Sequence, residues 1–257
     1  MIDKFATGEE LLPIEGSSIP EVKLLPQLTE IEDLMSRTCE FFFKGNLSMS
    51  NFPFKGFILE GPPGTGKTEI VKQVAKKLDR HLGNIFIMLV DGASIAAPRW
   101  GEAEKTLKSL FKKVEQLKQQ KRNPKLIILF DDVESLMIAR GSELAKEWHY
   151  SINSVLFHEI DNLDPTSVIV FATTNRPDLV DEALKTRLYR IEVPSLPLDQ
   201  LTTLVREILE VSHVNSNNTN LIESVVLDKL KSMERPTIRD ARQTTVIECI
   251  KNRVWSI

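Results

Sequence analysis

Cysteine is scarce in this chain, and so are histidine pairs, long apolar runs and an excess of either charge. The two cysteines among 257 residues, Cys39 and Cys249, lie far apart, suit a reducing compartment and show no metal-ligand spacing. The histidines His81, His149, His158 and His213 are scattered. His158-Glu159 sits in a helical stretch, but no second histidine follows at the spacing a zinc site needs. The longest apolar runs, such as Leu126 to Phe130, are far too short to span a bilayer. The first residues lack the basic-then-apolar pattern of an export signal, so a cytoplasmic protein is expected, with no membrane partner. Lys and Arg number 33 against 36 Asp and Glu, and the net charge of −3 gives no overall pull towards nucleic acid. Internal repeats and low-complexity tracts are absent from the sequence as well. What remains, 42% hydrophobic and 27% charged, is the composition of a globular protein of one large domain, or one plus a small one.

Against that plain background one stretch stands out: Gly61-Pro62-Pro63-Gly64-Thr65-Gly66-Lys67-Thr68, which fits the phosphate-loop pattern G-x-x-x-x-G-K-[ST]. Phe57-Ile58-Leu59 before it reads as a buried strand, and Glu69 to Ala75 after it as the start of a helix. In that order the glycines let successive backbone N–H groups turn inward around phosphates, and the helix N-terminus adds its own unpaired N–H groups and positive dipole end. Lys67 is expected to reach the β- and γ-phosphates of a nucleotide, and the Thr68 hydroxyl to ligate Mg²⁺.

Three further apolar segments read as strands: Asn84 to Val90, Leu126 to Phe130 and Val168 to Ala172. Runs with no polar alternation imply burial on both faces, as in a parallel sheet covered by helices. Ligands bind at the carboxyl ends of such strands, and the ends here are chemically loaded. Asp131 is assigned to the metal, usually through a water, and Asp132 to the general-base role. Asn175 is placed to hydrogen-bond the γ-phosphate and the lytic water. Arg187, after a short helix, is the kind of residue that serves as an arginine finger in a neighbouring subunit's site. Helical spacing runs from Glu102 to Lys118, with Lys105, Lys108, Lys112 and Lys113 on the outer face, and again from Trp148 to Asn162 with Ile152, Val155, Leu156 and Ile160 inward.

Residues 1–30, with Pro13, Pro20 and Pro26, read as an extended or loosely ordered arm on the surface; Ile31, Leu34, Met35 and Phe41 to Phe43 suggest a helix entering the core. Pro194-Ser195-Leu196-Pro197 is the clearest boundary. It divides a large domain, 31–197, from a helical lid, 198–257, whose helices run Asp199 to Val211, about Leu221 to Met233, and Thr237 to Val254 around a polar loop at Asn215 to Asn220. Arg239, near the start of the last helix, is placed to reach back to the nucleotide.

Phosphate loop, Asp131-Asp132 strand, Asn175, Arg187 and a helical lid, in that order, resemble an AAA+ ATPase module over roughly residues 30 to 257. The resemblance implies an α/β fold of the AAA+ P-loop NTPase type, with a five-stranded parallel sheet between helices and a small C-terminal helical lid. It also implies a homo-oligomeric ring, usually a hexamer, in which Asn175 is sensor 1, Arg187 the finger and Arg239 sensor 2, with Arg190 a second interface arginine. Asp132 to Arg140 and Ile152 to Leu156 resemble the pachytene-checkpoint family, which remodels HORMA-domain proteins; its small bacterial members, found beside HORMA proteins in second-messenger antiviral systems, are the nearer comparison. Arg99-Trp100-Gly101-Glu102 resembles the aromatic pore loop that grips extended polypeptide in AAA+ unfoldases, with Trp100 as the paddle.

The chain departs from that family at Asp132, where Glu is usual; the shorter carboxylate stands about one methylene further from the water, which predicts slower hydrolysis, and Glu134 is the carboxylate that could compensate, though its position suits it poorly. The expected activity is ATP hydrolysis coupled to remodelling of a protein partner. Two alternatives stay open at this point: a DNA-associated loader using the basic 105–125 face, and a nucleotide-gated scaffold with weak turnover.

Overall fold

The structure, a computed structural model, describes residues 12–45, 52–95, 102–137, 147–211 and 216–252. Strands form at the apolar runs, as β2 (Gly56–Glu60), β3 (Ile85–Asp91), β4 (Lys125–Asp131) and β5 (Val168–Thr174), and also at β1 (Ile14–Glu15) and β6 (Tyr189–Glu192). They make one sheet in the order β1-β3-β4-β5-β2-β6, parallel except for the β1–β3 pair. Because β2 lies beside β5, and β5 beside β4, the carboxyl ends of those three strands sit next to one another. The phosphate loop, the acidic pair and Asn175 leave the sheet from these adjacent ends, which is how residues more than a hundred positions apart come to share a site.

Helices α1 (Pro26–Phe43), α2 (Lys67–Leu82), α3 (Gly92–Ile95), α4 (Glu102–Gln120), α5 (Glu147–Asn162), α6 (Glu182–Lys185), α7 (Leu198–Val211), α8 (Ser216–Ser232) and α9 (Ile238–Lys251) complete the described chain. Side chains alternate across each strand, so each sheet face feeds its own core. Ile87, Leu89, Ile127 and Leu129 pack with α1 and α2, and the same cluster continues through Leu201, Val205 and Val226 of α7 and α8. Met88, Val90, Ile128 and Phe130 face the other way, against Leu107, Leu110 and Val114 of α4 and Ile152, Leu156 and Ile160 of α5. Each such side chain is fully buried, worth about 1.5–3 kcal/mol relative to exposure.

Three expectations need correction. The sheet has a sixth strand, β1, which comes from the segment read as a loose arm; it pairs Ile14 with Ile87 and Glu15 with Phe86. The rest of that segment is tied down too. Ile19 and Leu25 are buried, Gln73 of α2 hydrogen-bonds Val22 N–H and Pro20 O, and Lys76 donates to Ile19 O. Prolines had broken the periodicity that would have shown this apolar face. Helix α1 starts at Pro26, whose missing N–H costs nothing at a first helical position, and it leaves Leu34 and Phe41 exposed rather than in the core. Finally, Ser216 to Asn220, expected as loop, open α8, as polar residues do at helix starts, with Ile222, Val226 and Leu230 carrying the packing. No helix among the described residues is long and apolar enough to cross a membrane.

Candidate nucleotide site

The phosphate loop leaves β2 and closes on itself before α2 begins. Thr65 Oγ1 donates to Pro62 O at 3.0 Å, and Gly66, the residue capping α2, has φ 96°, a conformation that favours glycine. Lys67 is buried, and its ammonium donates to Gly61 O, Pro62 O and Asn175 Oδ1, each at 2.8 Å. Burial lowers its pKa from the ordinary lysine value, against the opposing pull of Asp132, Glu134 and Asp131. With three oxygens holding it, the amine is parked at the loop's own carbonyls, on a flexible stem that has only to swing to meet a phosphate.

The acidic pair follows β4. Thr68 Oγ1 donates to Asp131 Oδ1 at 2.7 Å, so the two residues expected to serve one metal are already in contact. Thr173 Oγ1 donates to the same oxygen. Asp132 adopts the left-handed region, φ 51° and ψ 53°, a conformation uncommon outside glycine and best tolerated by Asn and Asp. Its Oδ1 accepts from Asn175 Nδ2 at 2.7 Å. Asn175 therefore stands between Lys67 and Asp132, one amide atom on each. Burial first, and then the charges of Asp131 and Glu134, push the Asp132 carboxyl above the usual aspartate range. Glu134 plays a different part: its Oε1 accepts the Asn175 backbone N–H at 3.0 Å, and it is not among the residues lining the cavity.

A cavity of about 490 Å³ opens over these groups, lined by Lys67, Thr68, Asp131, Asp132 and Asn175 on one side and by Arg239 and Arg242 of α9 on the other. Arg239 is fixed in the first turn of α9 by a capping box: Thr237 Oγ1 accepts Asp240 N–H at 3.2 Å, and the Asp240 carboxylate accepts Thr237 N–H at 2.9 Å. That turn abuts the loop so closely that a Cβ on Gly64 would lie 2.8 Å from Thr237 Oγ1. Beside the cavity, past Gly66, is a recess of about 80 Å³ with walls of Val22, Leu24, Leu25, Leu28, Leu204 and Ile238. Sequence reasoning missed these residues. The signal was the apolar cluster Val22 to Leu25 just ahead of a helix-starting proline, which looks like surface until α7 and α9 close over it.

The donor set fits a magnesium nucleotide. Hard oxygen donors on Thr68 and Asp131 match Mg²⁺, which keeps several waters and takes few protein ligands, while Lys67 and Arg239 supply cationic partners for phosphate. Arg187 stands apart from this group. Its guanidinium forms a two-point ion pair with Asp161, at 2.8 and 2.7 Å, donates to Ala183 O and lies 4.7 Å from the centre of the Phe157 ring; it does not line the cavity of its own chain. Arg190, on edge strand β6, pairs with Glu60 at 2.8 Å. Trp100 and its neighbours 96–101 lie outside the described residues.

The chain is 35% identical over 136 residues to an "AAA ATPase forming ring-shaped complexes" of Corynebacterium efficiens, covering 51% of this chain and 26% of that protein. It is 34% identical over 208 residues to "Protein SAV" of Sulfolobus acidocaldarius, covering 79% of this chain and 24% of the relative. A cell division cycle protein 48 homolog of Archaeoglobus fulgidus is 38% identical over 134 residues, 52% of this chain and 17% of that one. The chain thus spans about a quarter or less of the length of these curated relatives. A chain of the solved E. coli MS115-1 HORMA:CdnC:Trip13 complex superposes with a TM-score of 0.64 at 15% identity, over 87% of this chain and 88% of that one, a likeness of fold. Residues 57–195, more than half of the chain and the stretch that holds every strand end described above except β1, match the family described as the ATPase family associated with various cellular activities. The chain belongs to the AAA ATPase family.

Proposed function

We propose that this chain binds ATP with Mg²⁺ and hydrolyses it as one subunit of a cytoplasmic homo-oligomeric ring, a hexamer, that remodels a protein partner. The observation that carries the reading is the convergence of Lys67, Asn175 and Asp132 in one hydrogen-bonded line beside the Thr68–Asp131 contact. Each group then has a task. Lys67 leaves its carbonyl partners for the β- and γ-phosphates, and Thr68 and Asp131 hold the metal, Asp131 through water. A magnesium ion held by these two residues would supply charge neutralisation for the phosphates. Asn175, released from Lys67, orients the γ-phosphate and the lytic water, and Asp132 takes the water's proton. The apolar recess at Leu28, Leu204 and Ile238 takes the base, and Arg239 reaches the phosphates from α9.

Arg187 acts on the neighbouring subunit's site. Its position away from its own cavity, on the half-exposed Asp161, supports a role outside its own site. Motion of the lid, 198–257, against the large domain, 31–197, couples the cycle to a pore in which Trp100 grips the partner. Ring assembly is supported by relatives that form ring-shaped complexes, and a HORMA-domain protein as the partner by the fold shared with a chain of the HORMA:CdnC:Trip13 complex; an antiviral setting is part of the same proposal.

The test uses purified protein and an ATPase assay with Lys67→Ala and Asp132→Asn. Wild type is expected to hydrolyse ATP, Lys67→Ala to lose tight binding, and Asp132→Asn to bind ATP without turnover and to retain a folded protein client from host extract only with ATP. Full turnover by Asp132→Asn removes the base assignment. Nuclease-sensitive material in place of a protein client points to a loader.

A further inference from the structure

The β4–β5 ladder ends one residue short of the chemistry. Its last paired residues are Phe130 and Ala172, so no β5 backbone partner holds Asp131 and Asp132. A side chain takes over. Thr173, 1% exposed, accepts the Asp132 N–H at 3.2 Å on its hydroxyl oxygen and donates its proton to Asp131 Oδ1. The direction is forced, because an ionised carboxylate only accepts and a backbone N–H only donates. A hydroxyl that donates to a carboxylate becomes a better acceptor, so the two bonds reinforce each other. From the opposite side Gly92 presses on the same turn: a Cβ there would lie 2.6 Å from Asp132 O and 3.0 Å from Asp131 O. The left-handed Asp132 is thus gripped between a glycine that has no side chain and a hydroxyl that has both a donor and an acceptor to give.

We infer that Thr173 is the positioning residue that sets the metal-side acid and the general base at once, through a single buried hydroxyl. This rests on the proposed ATPase reading and adds to it a residue of the cavity wall whose hydroxyl is engaged by the two acids. Thr68 also donates to Asp131 Oδ1, but it belongs to the phosphate loop and has a metal to serve. Thr173 belongs to the sheet, and it is the contact that links Asp131 with Asp132. Loss of its hydroxyl takes one of two donors from the Asp131 carboxylate and the partner from the Asp132 N–H, so both acids lose a restraint, while Lys67, Arg239 and the base recess stay as they are.

The experiment compares Thr173→Ala with Thr173→Ser; both lack the methyl group and they differ only by the hydroxyl. Thr173→Val, which keeps the shape, is a third variant. Three quantities are read: kcat, the Mg²⁺ concentration for half-maximal nucleotide binding followed with a fluorescent ADP, and ADP affinity without Mg²⁺. The expected result for Ala and Val is a kcat lower by about tenfold or more, a half-saturating Mg²⁺ raised several-fold, and magnesium-free ADP affinity within about twofold of wild type. Ser returns kcat and the Mg²⁺ requirement to within about threefold of wild type. Ala or Val matching wild type in kcat and Mg²⁺ dependence overturns the inference, as does Ser behaving like Ala. A wild type that binds ADP but does not hydrolyse ATP defeats the ATPase reading instead, and the Mg²⁺-dependence of binding still decides the role of Thr173.

Discussion

If Arg187 serves the neighbouring site, its removal leaves each subunit able to bind ATP and unable to use it. The cost to the fold is small by the structure. Asp161 is half exposed, and ion pairs of that kind contribute about 0.2–1 kcal/mol; the remaining contacts of Arg187 are one carbonyl and one ring face. For a domain of this size each kcal/mol shifts the melting temperature by about 2–4 °C, so Arg187→Ala is expected to melt within a few degrees of wild type. Turnover, by contrast, is expected to fall on the order of 10³-fold, the low end for loss of an arginine finger. Mixing sharpens the test. Arg187→Ala keeps a sound site, and Asp132→Asn keeps a sound finger. Co-expressed at equal levels and assembled at random, they place a sound finger beside a sound site at about one interface in four, so about a quarter of wild-type turnover returns from two nearly inactive proteins. Steady-state phosphate release on the separate and mixed samples reads this directly. Arg187→Ala with wild-type turnover, or a mixture no better than its parts, would refute a finger acting between subunits.

The other predictions concern the site itself. Burial and the neighbouring acids raise the Asp132 pKa in the free protein, and a base must be unprotonated to act, so kcat/KM is expected to fall as pH drops through a value above the usual aspartate range; a profile flat down to pH about 4 contradicts this. The same shift has a stability consequence. A carboxyl with a raised folded-state pKa binds its proton more tightly folded than unfolded, so its ionised form destabilises the fold at neutral pH, and Asp132→Asn, which keeps an acceptor for Asn175, is expected to melt higher than wild type without Mg²⁺ or nucleotide in a thermal scan. Gly64→Ala places a methyl group 2.8 Å from Thr237 Oγ1 at a φ of 78°, so the loop and α9 must separate; nucleotide affinity by calorimetry is expected to fall about tenfold or more. Asp240→Ala removes half of the α9 capping box, at about 1 kcal/mol, and is expected to lower the melting temperature by about 2–4 °C and to weaken ATP binding by loosening Arg239.

Much of the site was legible because its chemistry is written in short contiguous stretches. The phosphate loop needs glycines, a lysine and a hydroxyl at fixed spacing, and the structure forms it between β2 and α2 at Gly61 to Thr68. Asp131 and Asn175 were readable because polar residues at the ends of wholly apolar strands have few other places to go. The helix from Glu102 announced itself by periodicity, and its inward residues Leu107, Leu110 and Val114 are buried. The arm was misread because three prolines hide its apolar face, and the recess beyond Gly66 was invisible because its walls come from residues 22–28, Leu204 and Ile238.

By itself, then, the sequence determined which segments become strands and helices, and which residues are candidates for phosphate, metal and proton chemistry, because those requirements act over a few neighbouring positions. Only the tertiary structure decided how these parts engage one another. It set the strand order that brings β2, β5 and β4 side by side, placed Asn175 between Lys67 and Asp132, and gave one threonine hydroxyl to both acids. It also turned Arg187 onto Asp161 and away from its own cavity. Those relations depend on side chains meeting across distant segments, where packing and hydrogen-bond direction fix the outcome to within an ångström and no local pattern records it.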